Sequence, residues 1–292
     1  MQELAVILVR GLGIGAVFAL IAFSLNAVHR ASGIFNFAQG AMMVLGGIIA
    51  ARYMPNVPDP YRWFLFLPVA TLALAVIMTA QGYITLLPLR SSVEQHSWLV
   101  STLAVSVLIG AVILLLQGNT QILTTSQFPS FPLFGTRTPA PYLMAMILAV
   151  VWYVALHWFH RHTLTGLSIS AVAQDLDAAR AAGLRVRRLQ LLAFCISGLI
   201  IGSTGFTAAP ILALANDSGV AYVTNGFVAA VVGGIGNDTG ALLGGALVGV
   251  LSMYTAFAYG GEFQNAVTLG LLVAVLMIKP EGLFGTPAAR KV

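Results

Sequence analysis

Charge is what this sequence has least of: 14 Lys and Arg and nine Asp and Glu in 292 residues, 8% of the chain. Soluble domains carry roughly a quarter charged residues, so an ordinary water-soluble globule is excluded. The nine carboxylates are Glu3, Asp59, Glu94, Asp175, Asp177, Asp217, Asp238, Glu262 and Glu281, and none falls in the middle of an apolar run. Carriers driven by protons or sodium often keep an ionisable group at membrane depth to bind the coupling ion. That shortage weighs against an ion-coupled carrier or channel acting alone, while leaving open sodium coordination by carbonyls and hydroxyls. Lysine is scarcer still. Lys279 precedes Pro280 and Lys291 precedes Val292, so no phosphate-cradling Gly-Lys-Ser/Thr loop exists and this chain does not hydrolyse ATP through a P-loop. The single cysteine, Cys195, has no partner for an internal disulfide and lies in an apolar run, as a small packing residue does. No Gly-x-Ser-x-Gly element is present, and the sequence offers no catalytic constellation and no cofactor motif. The reading is a transport subunit, not an enzyme.

What is abundant is apolar: 59% hydrophobic residues and a mean hydropathy of +0.92. A bilayer core of about 30 Å takes roughly 20 apolar residues to cross as a helix. Runs of that kind occupy 4–28, 33–51, 63–87, 97–117, 141–160, 189–213, 219–236, 240–259 and 263–278. They predict an all-α polytopic bundle of about eight to nine spans, with 1–292 forming a single membrane domain. The first run is too long for a signal peptide, and Glu3 spoils a basic leader, so it reads as a retained span. The 219–236 run is short and ends in "VVGGIG", the pattern of a half-helix that dips in and returns. Loops are expected at 54–62, 87–96 and 127–141, where proline and polar residues cluster. Pro68 is expected to kink the third span. Glycines four apart, Gly11 and Gly15, Gly198 and Gly202, Gly245 and Gly249, clear one helix face for a close neighbour. No internal repeat is visible.

Net charge is +5, but the basic residues sit at the ends of apolar runs rather than in a stripe, which points to membrane lipid and not nucleic acid as their partner. Counted on alternating sides, Arg30, Arg90, Arg161, Arg180, Arg185, Arg187, Arg188, Lys279, Arg290 and Lys291 fall together, opposite Arg10, Arg52, Arg62 and Arg137. The first group should be cytoplasmic. His157, His160 and His162 have no Cys or acid nearby in sequence. With Trp152, Tyr153 and Trp158 they read as an interfacial belt, not a metal site.

One stretch breaks the pattern. "QDLDAARAAGLRVRR", 174–188, holds six charges in fifteen residues. Asp175 and Asp177 precede Arg180, the order a helix dipole favours, and Gly183 supplies a stop, so a short helix is expected over 171–182. Its alanine-rich body suits burial in a partner's groove better than solvent. Asn36 and Gln39 are amides inside the second apolar run and are candidates for a translocation pathway, or for helix-to-helix ties. Asn26 and Asn225 are weaker candidates.

"DAARAAG", 177–183, resembles the Glu-Ala-Ala-x-x-x-Gly element of ABC-importer permeases, with Asp177 in place of Glu, then Ala178, Ala179 and Gly183. The usual Ile-x-Leu-Pro continuation is absent. Residues 11–47, including "NFAQG" at Asn36 to Gly40, look like the N-terminal signature of LivH-type branched-chain amino acid permeases. Residues 165–205, 227–250 and 279–285 ("KPEGLFG") are similar to later segments of the same family, in the same order. The resemblance implies an importer permease of the bacterial inner membrane, with a cytoplasmic coupling loop at 161–188. It implies as partners a second homologous permease, two cytoplasmic ATPases and a periplasmic or lipid-anchored binding protein. On this resemblance Asp175, Asp177, Ala178, Ala179, Arg180 and Gly183 would dock the ATPase, and the cargo would be branched-chain amino acids or related small molecules. The chain departs from the family at His29 and Arg30, where Tyr-Gly is common, at Ala41, where an acid is common, and at Leu167 and Ser170, where arginines are usual.

Overall fold

The computed structural model describes residues 2–54, 58–86, 97–118, 121–122, 124–133, 136–215 and 217–285. The expected loop 87–96 with Arg90 and Glu94, part of the expected loop 54–62, and Arg290 and Lys291 lie outside these residues. Eleven α-helices are present among the described residues: α1 (Gln2–Ser32), α2 (Gln39–Tyr53), α3 (Pro60–Leu86), α4 (Ser97–Gln117), α5 (Ala140–His162), α6 (Leu164–Gln174), α7 (Leu176–Ala181), α8 (Val186–Ala208), α9 (Ser218–Gly233), α10 (Asp238–Ala258) and α11 (Gln264–Ile278). Two three-residue strands, β1 (Phe131–Leu133) and β2 (Thr136–Thr138), form an antiparallel hairpin just before α5.

Among the described residues seven helical segments are long and apolar enough to cross a membrane, so the chain is a multi-pass membrane protein, but the expected count of about eight to nine spans is not reached. The two shortfalls share a cause. The run 33–51 is not one helix: Gly33 takes φ +71°, residues 33–38 are non-helical, and α2 has only 15 residues. At 1.5 Å per residue that is about 22 Å, short of a bilayer core. Likewise α9 has 16 residues and follows a non-helical stretch after a 3-10 turn at Ala209–Ile211. It does not dip and return. Pro210 lies near Met54 and Trp63 at one end of the bundle, whereas Gly236, beyond α9, is bonded to Arg30 at the other. Pro68 sits inside α3, which continues through it as a single helix.

The glycine pairs build the contacts their spacing predicts. Gly11 and Gly15 face Gly245 and Gly249 along antiparallel α1 and α10, where a Cβ added at Gly15 would lie 2.6 Å from Gly245 O. Gly198 and Gly202 face Ala75 and Thr71 along antiparallel α8 and α3, where a Cβ at Gly198 would lie 2.6 Å from Ala75 Cα. Without water to expel, helices in lipid associate by such close packing.

These pairings also reveal a repeat that the sequence hides. The order α1–α4 is echoed by α8–α11: α1 packs on α10 as α8 packs on α3, α1 on α9 as α8 on α2, and α2 on α4 as α9 on α11. Since α1 and α8 also pack on each other, as do α2 and α9, the halves relate by an approximate two-fold axis and run in opposite directions through the membrane. The starts of α2 and α9 meet backbone to backbone, where a Cβ on Gly219 would come 2.7 Å from Ala41 N. Helices α5, α6 and α7 have no counterpart in this repeat.

Candidate functional site

The charged stretch folds as two short helices rather than the single one expected over 171–182. Asp175 adopts an extended conformation (φ −153°, ψ 109°) and its carboxylate accepts the backbone N–H groups of Asp177 and Ala178, both at 3.0 Å. That is an N-cap, and it necessarily ends α6 before it starts α7. At the other end Gly183 takes φ +82°, and Leu184 N returns to Ala179 O at 3.1 Å, closing the helix with a left-handed residue. Arg180 and Asp177 pair at 3.3 Å on the exposed face. Only Ala179 of α7 is buried, against Val172 and Val186, so Asp175, Asp177, Ala178, Arg180 and Gly183 all stand outward. Replacing Asp175 with alanine frees two donors and should weaken α7 by about 1 kcal/mol. Hydrogen exchange at the amides of Asp177 and Ala178 checks this, with several-fold faster exchange expected there and no change in α8.

Asn36 and Gln39 are fully buried but lie outside a common helix and hold two separate sets of side-chain partners. Asn36, in the non-helical lead-in, exchanges amide hydrogen bonds with Gln81 of α3, 2.9 Å each way, and accepts from Ala38 N. Gln39, the first residue of α2, donates to Ser24 O of α1 and Ser197 Oγ of α8, at 3.2 and 2.9 Å. Its Oε1 has no hydrogen-bond partner among the described residues. Asn26 is bonded to Gly236 N instead, and Asn225 to Asn265. Four helices from both halves of the repeat therefore meet at amides in an apolar interior.

Against known proteins, the family described as "Branched-chain amino acid transport system / permease component" matches residues 7–276. The chain belongs to this family. Relatives include the high-affinity branched-chain amino acid transport permease LivH of Salmonella typhimurium, 27% identical over 97% of this chain and 96% of that protein. BraD of Pseudomonas aeruginosa, described in the same terms, is 27% identical over 98% and 97%. A probable LivH of Methanocaldococcus jannaschii is 25% identical over 91% and 88%. No solved structure matches.

In this permease the sequence undervalued His160. Rather than sitting in an interfacial belt, its ring is nearly buried, with Nδ1 2.9 Å from Arg30 Nη1 and 3.5 Å from Asp238 Oδ2. Trp152 and Tyr153 likewise reach inward, to Ser203 Oγ and Thr239 Oγ1, both at 3.0 Å. Trp158 is exposed, His162 stacks on it, and His157 lies beside Tyr153. No group of three metal-ligating side chains occurs among the described residues. Arg30 and Asp238 are 208 positions apart, which is why spacing along the chain gave no sign of the pair.

Proposed function

We propose that this permease is the transmembrane subunit of an ABC importer for branched-chain amino acids or related small molecules in a bacterial inner membrane. A second homologous permease, two ATPase subunits and a binding protein would complete it. The observation that carries the reading is α7: a helix of six residues, capped at both ends, turned outward, and carried on the loop that the family resemblance assigns to ATPase docking. The Arg30 end of the bundle gathers this segment, Arg161, Arg180, Arg185, Arg187, Arg188 and Lys279. Under the charge rule that end is cytoplasmic, where ATP is available. The alternative, a carrier coupled to an ion, would use either a charged mid-membrane site, and no carboxylate of the sequence falls in the middle of an apolar run, or a cage of carbonyls and hydroxyls around sodium. The buried amides at Asn36 and Gln39 offer neutral groups instead, which suits a zwitterionic or neutral cargo. We place them on the pathway. The two opposed half-repeats give alternating access a mechanical basis, because one half can rock against the other about the α2 and α9 contact.

The test is uptake of labelled leucine into liposomes holding this permease with its partner permease, ATPases and binding protein, wild type against Gly183→Asp. The substitution puts a side chain and a charge at a left-handed glycine with open space around it, so it strains the stop of α7 and changes the docking face while meeting no neighbour in the bundle. Uptake should require ATP and fall at least tenfold in the variant, a loss of more than about 1.4 kcal/mol of coupling. Uptake without ATPases would sink the importer reading. ATPase stimulation by a binding protein loaded with another solute would keep the machine and change the cargo.

A further inference from the structure

The ionic cluster at the Arg30 end ties together three elements that lead to different parts of the molecule. Asn26 and Arg30, four residues apart, lie on one face of α1. Between them they grip the α9–α10 turn: Gly236 N donates to Asn26 Oδ1 at 3.0 Å, and Gly236 O accepts from Arg30 Nε at 2.9 Å and from Nη2. Arg30 Nη2 also pairs with Asp238 Oδ2 at 3.2 Å, and Nη1 meets His160 Nδ1. All three guanidinium nitrogens are thus engaged. The side chains are 18% (Arg30), 9% (Asp238) and 10% (His160) exposed.

Each arm of the cluster leads somewhere. His160 stands two residues before the end of α5, and α6 begins at Leu164, packed so closely that Gly166 touches Phe159 O. The Gly236 turn begins α10 and ends α9. Arg30 ends α1, beyond which residues 33–38 carry Asn36. Beside the cluster lies a cleft of about 830 Å³ between the end of α1, α6 and Ile235–Gly236, lined by Ser32, Ser170, Gln174 and Leu176 among others. A push on α6 and α7 already meets α1 and α8 through apolar packing, Ile169 on Ala31 and Ala193, and Ala179 on Val186, but such contacts are non-directional and fix no register without a polar link beside them.

We propose that Arg30 is that link: a positioning residue which, through Asp238 and His160, makes the α6–α7 segment, the α9–α10 turn and the end of α1 move as one body. Displacement of α7 then reaches both short helices, α9 directly and α2 through the 33–38 lead-in. A buried ion pair contributes little net stability over an apolar replacement, yet losing one partner is costly, so such a pair is better suited to fixing geometry than to strengthening the fold. This inference rests on the reading of α6–α7 as the ATPase dock.

The experiment compares wild type with Arg30→Gln, Arg30→Lys and the double variant Arg30→Gln/Asp238→Asn, which leaves no unpaired buried charge. In the assembled complex we expect Arg30→Gln and the double variant to keep hydrolysing ATP while leucine imported per ATP falls about tenfold. Arg30→Lys, which retains the charge opposite Asp238, should recover most of it. Unchanged import per ATP in the double variant overturns the proposal. Parallel loss of hydrolysis, import and thermal stability in every variant also overturns it, since that is local packing. Hydrogen exchange on the permease alone separates this idea from the docking reading. If no ATPase binds the wild-type chain, the dock is wrong, but Arg30→Gln should still raise exchange over 163–185 and 234–238 together. Faster exchange confined to 234–238 would show that Arg30 does not link the two.

Discussion

Gly249→Leu should leave almost no assembled permease, and Gly249→Ala should already be measurably weakened. An added Cβ at Gly249 would run into the backbone of Gly15 and Gly11, and one at Gly245 would lie 2.7 Å from Gly15 O. Backbone cannot turn aside as a side chain can, so α1 and α10 would have to separate. Overpacking a close contact by one methyl costs about 1–3 kcal/mol, and an isobutyl group removes the contact altogether. The damage should spread because α1 is the best-buried long helix after α8 and packs on α5, α8 and α9 as well as α10. The measurement is the monodisperse fraction after detergent extraction and its thermal midpoint. Gly270→Ala in α11 is the control: nothing lies within 4 Å, so it should be neutral or gain up to about 1 kcal/mol from helix propensity. Gly198→Ala should be weakened in the same way, because the α8–α3 contact in which it lies is the two-fold mate of the α1–α10 contact. A folded, wild-type-like Gly249→Leu protein would mean that α1 and α10 are not neighbours.

That symmetry shows where sequence reading stops. Hydropathy located every long helix and the glycine spacing named the faces that pack, because both properties are local. It also merged 33–51 into one span, since apolar side chains say nothing of backbone shape. The signals that could have divided it are Gly33, which takes a left-handed conformation, and Asn36, whose side chain bonds the N–H of Ala38 two residues on and so competes with a helix. Asp175 suits the first turn of a helix by its charge, but aspartate is equally a favoured N-cap residue. Its capping bonds are what divide α6 from α7. The Arg30, His160 and Asp238 cluster was not legible at all, because each member is explained acceptably alone as a topology signal, a belt residue or a first-turn acid. Only folding brings them within 3.5 Å. The inverted repeat was hidden for a related reason: the two halves share the order of long and short helices rather than their residues.

Removing Asn36 should cost the permease more than removing Gln81, and the two losses should not add. Asn36→Ala strands both ends of the Gln81 amide and the N–H of Ala38, whereas Gln81→Ala leaves Asn36 bonded to Ala38 and in contact with Met78 Sδ. Each buried polar group left unpaired costs about 1–3 kcal/mol, so the first variant loses two or more such terms and the second about one. Once Asn36 is gone, cutting back Gln81 removes a group already without a partner. The double variant should therefore be no less stable than Asn36→Ala, and a double-mutant cycle should return a coupling of about 0.5–3 kcal/mol. Thermal midpoints of the three variants check the stability side. The transport side decides what the amides are for. If Asn36 meets cargo, as proposed, Asn36→Ala should raise KM for uptake at a temperature where all variants are folded, while Gln81→Ala, which keeps that amide, should leave KM alone. Equal KM in both would make the pair a tie between the lead-in and α3. The search for the pathway would then move to Gln39, whose Oε1 has no partner among the described residues in the fully buried centre where α1, α2 and α8 meet.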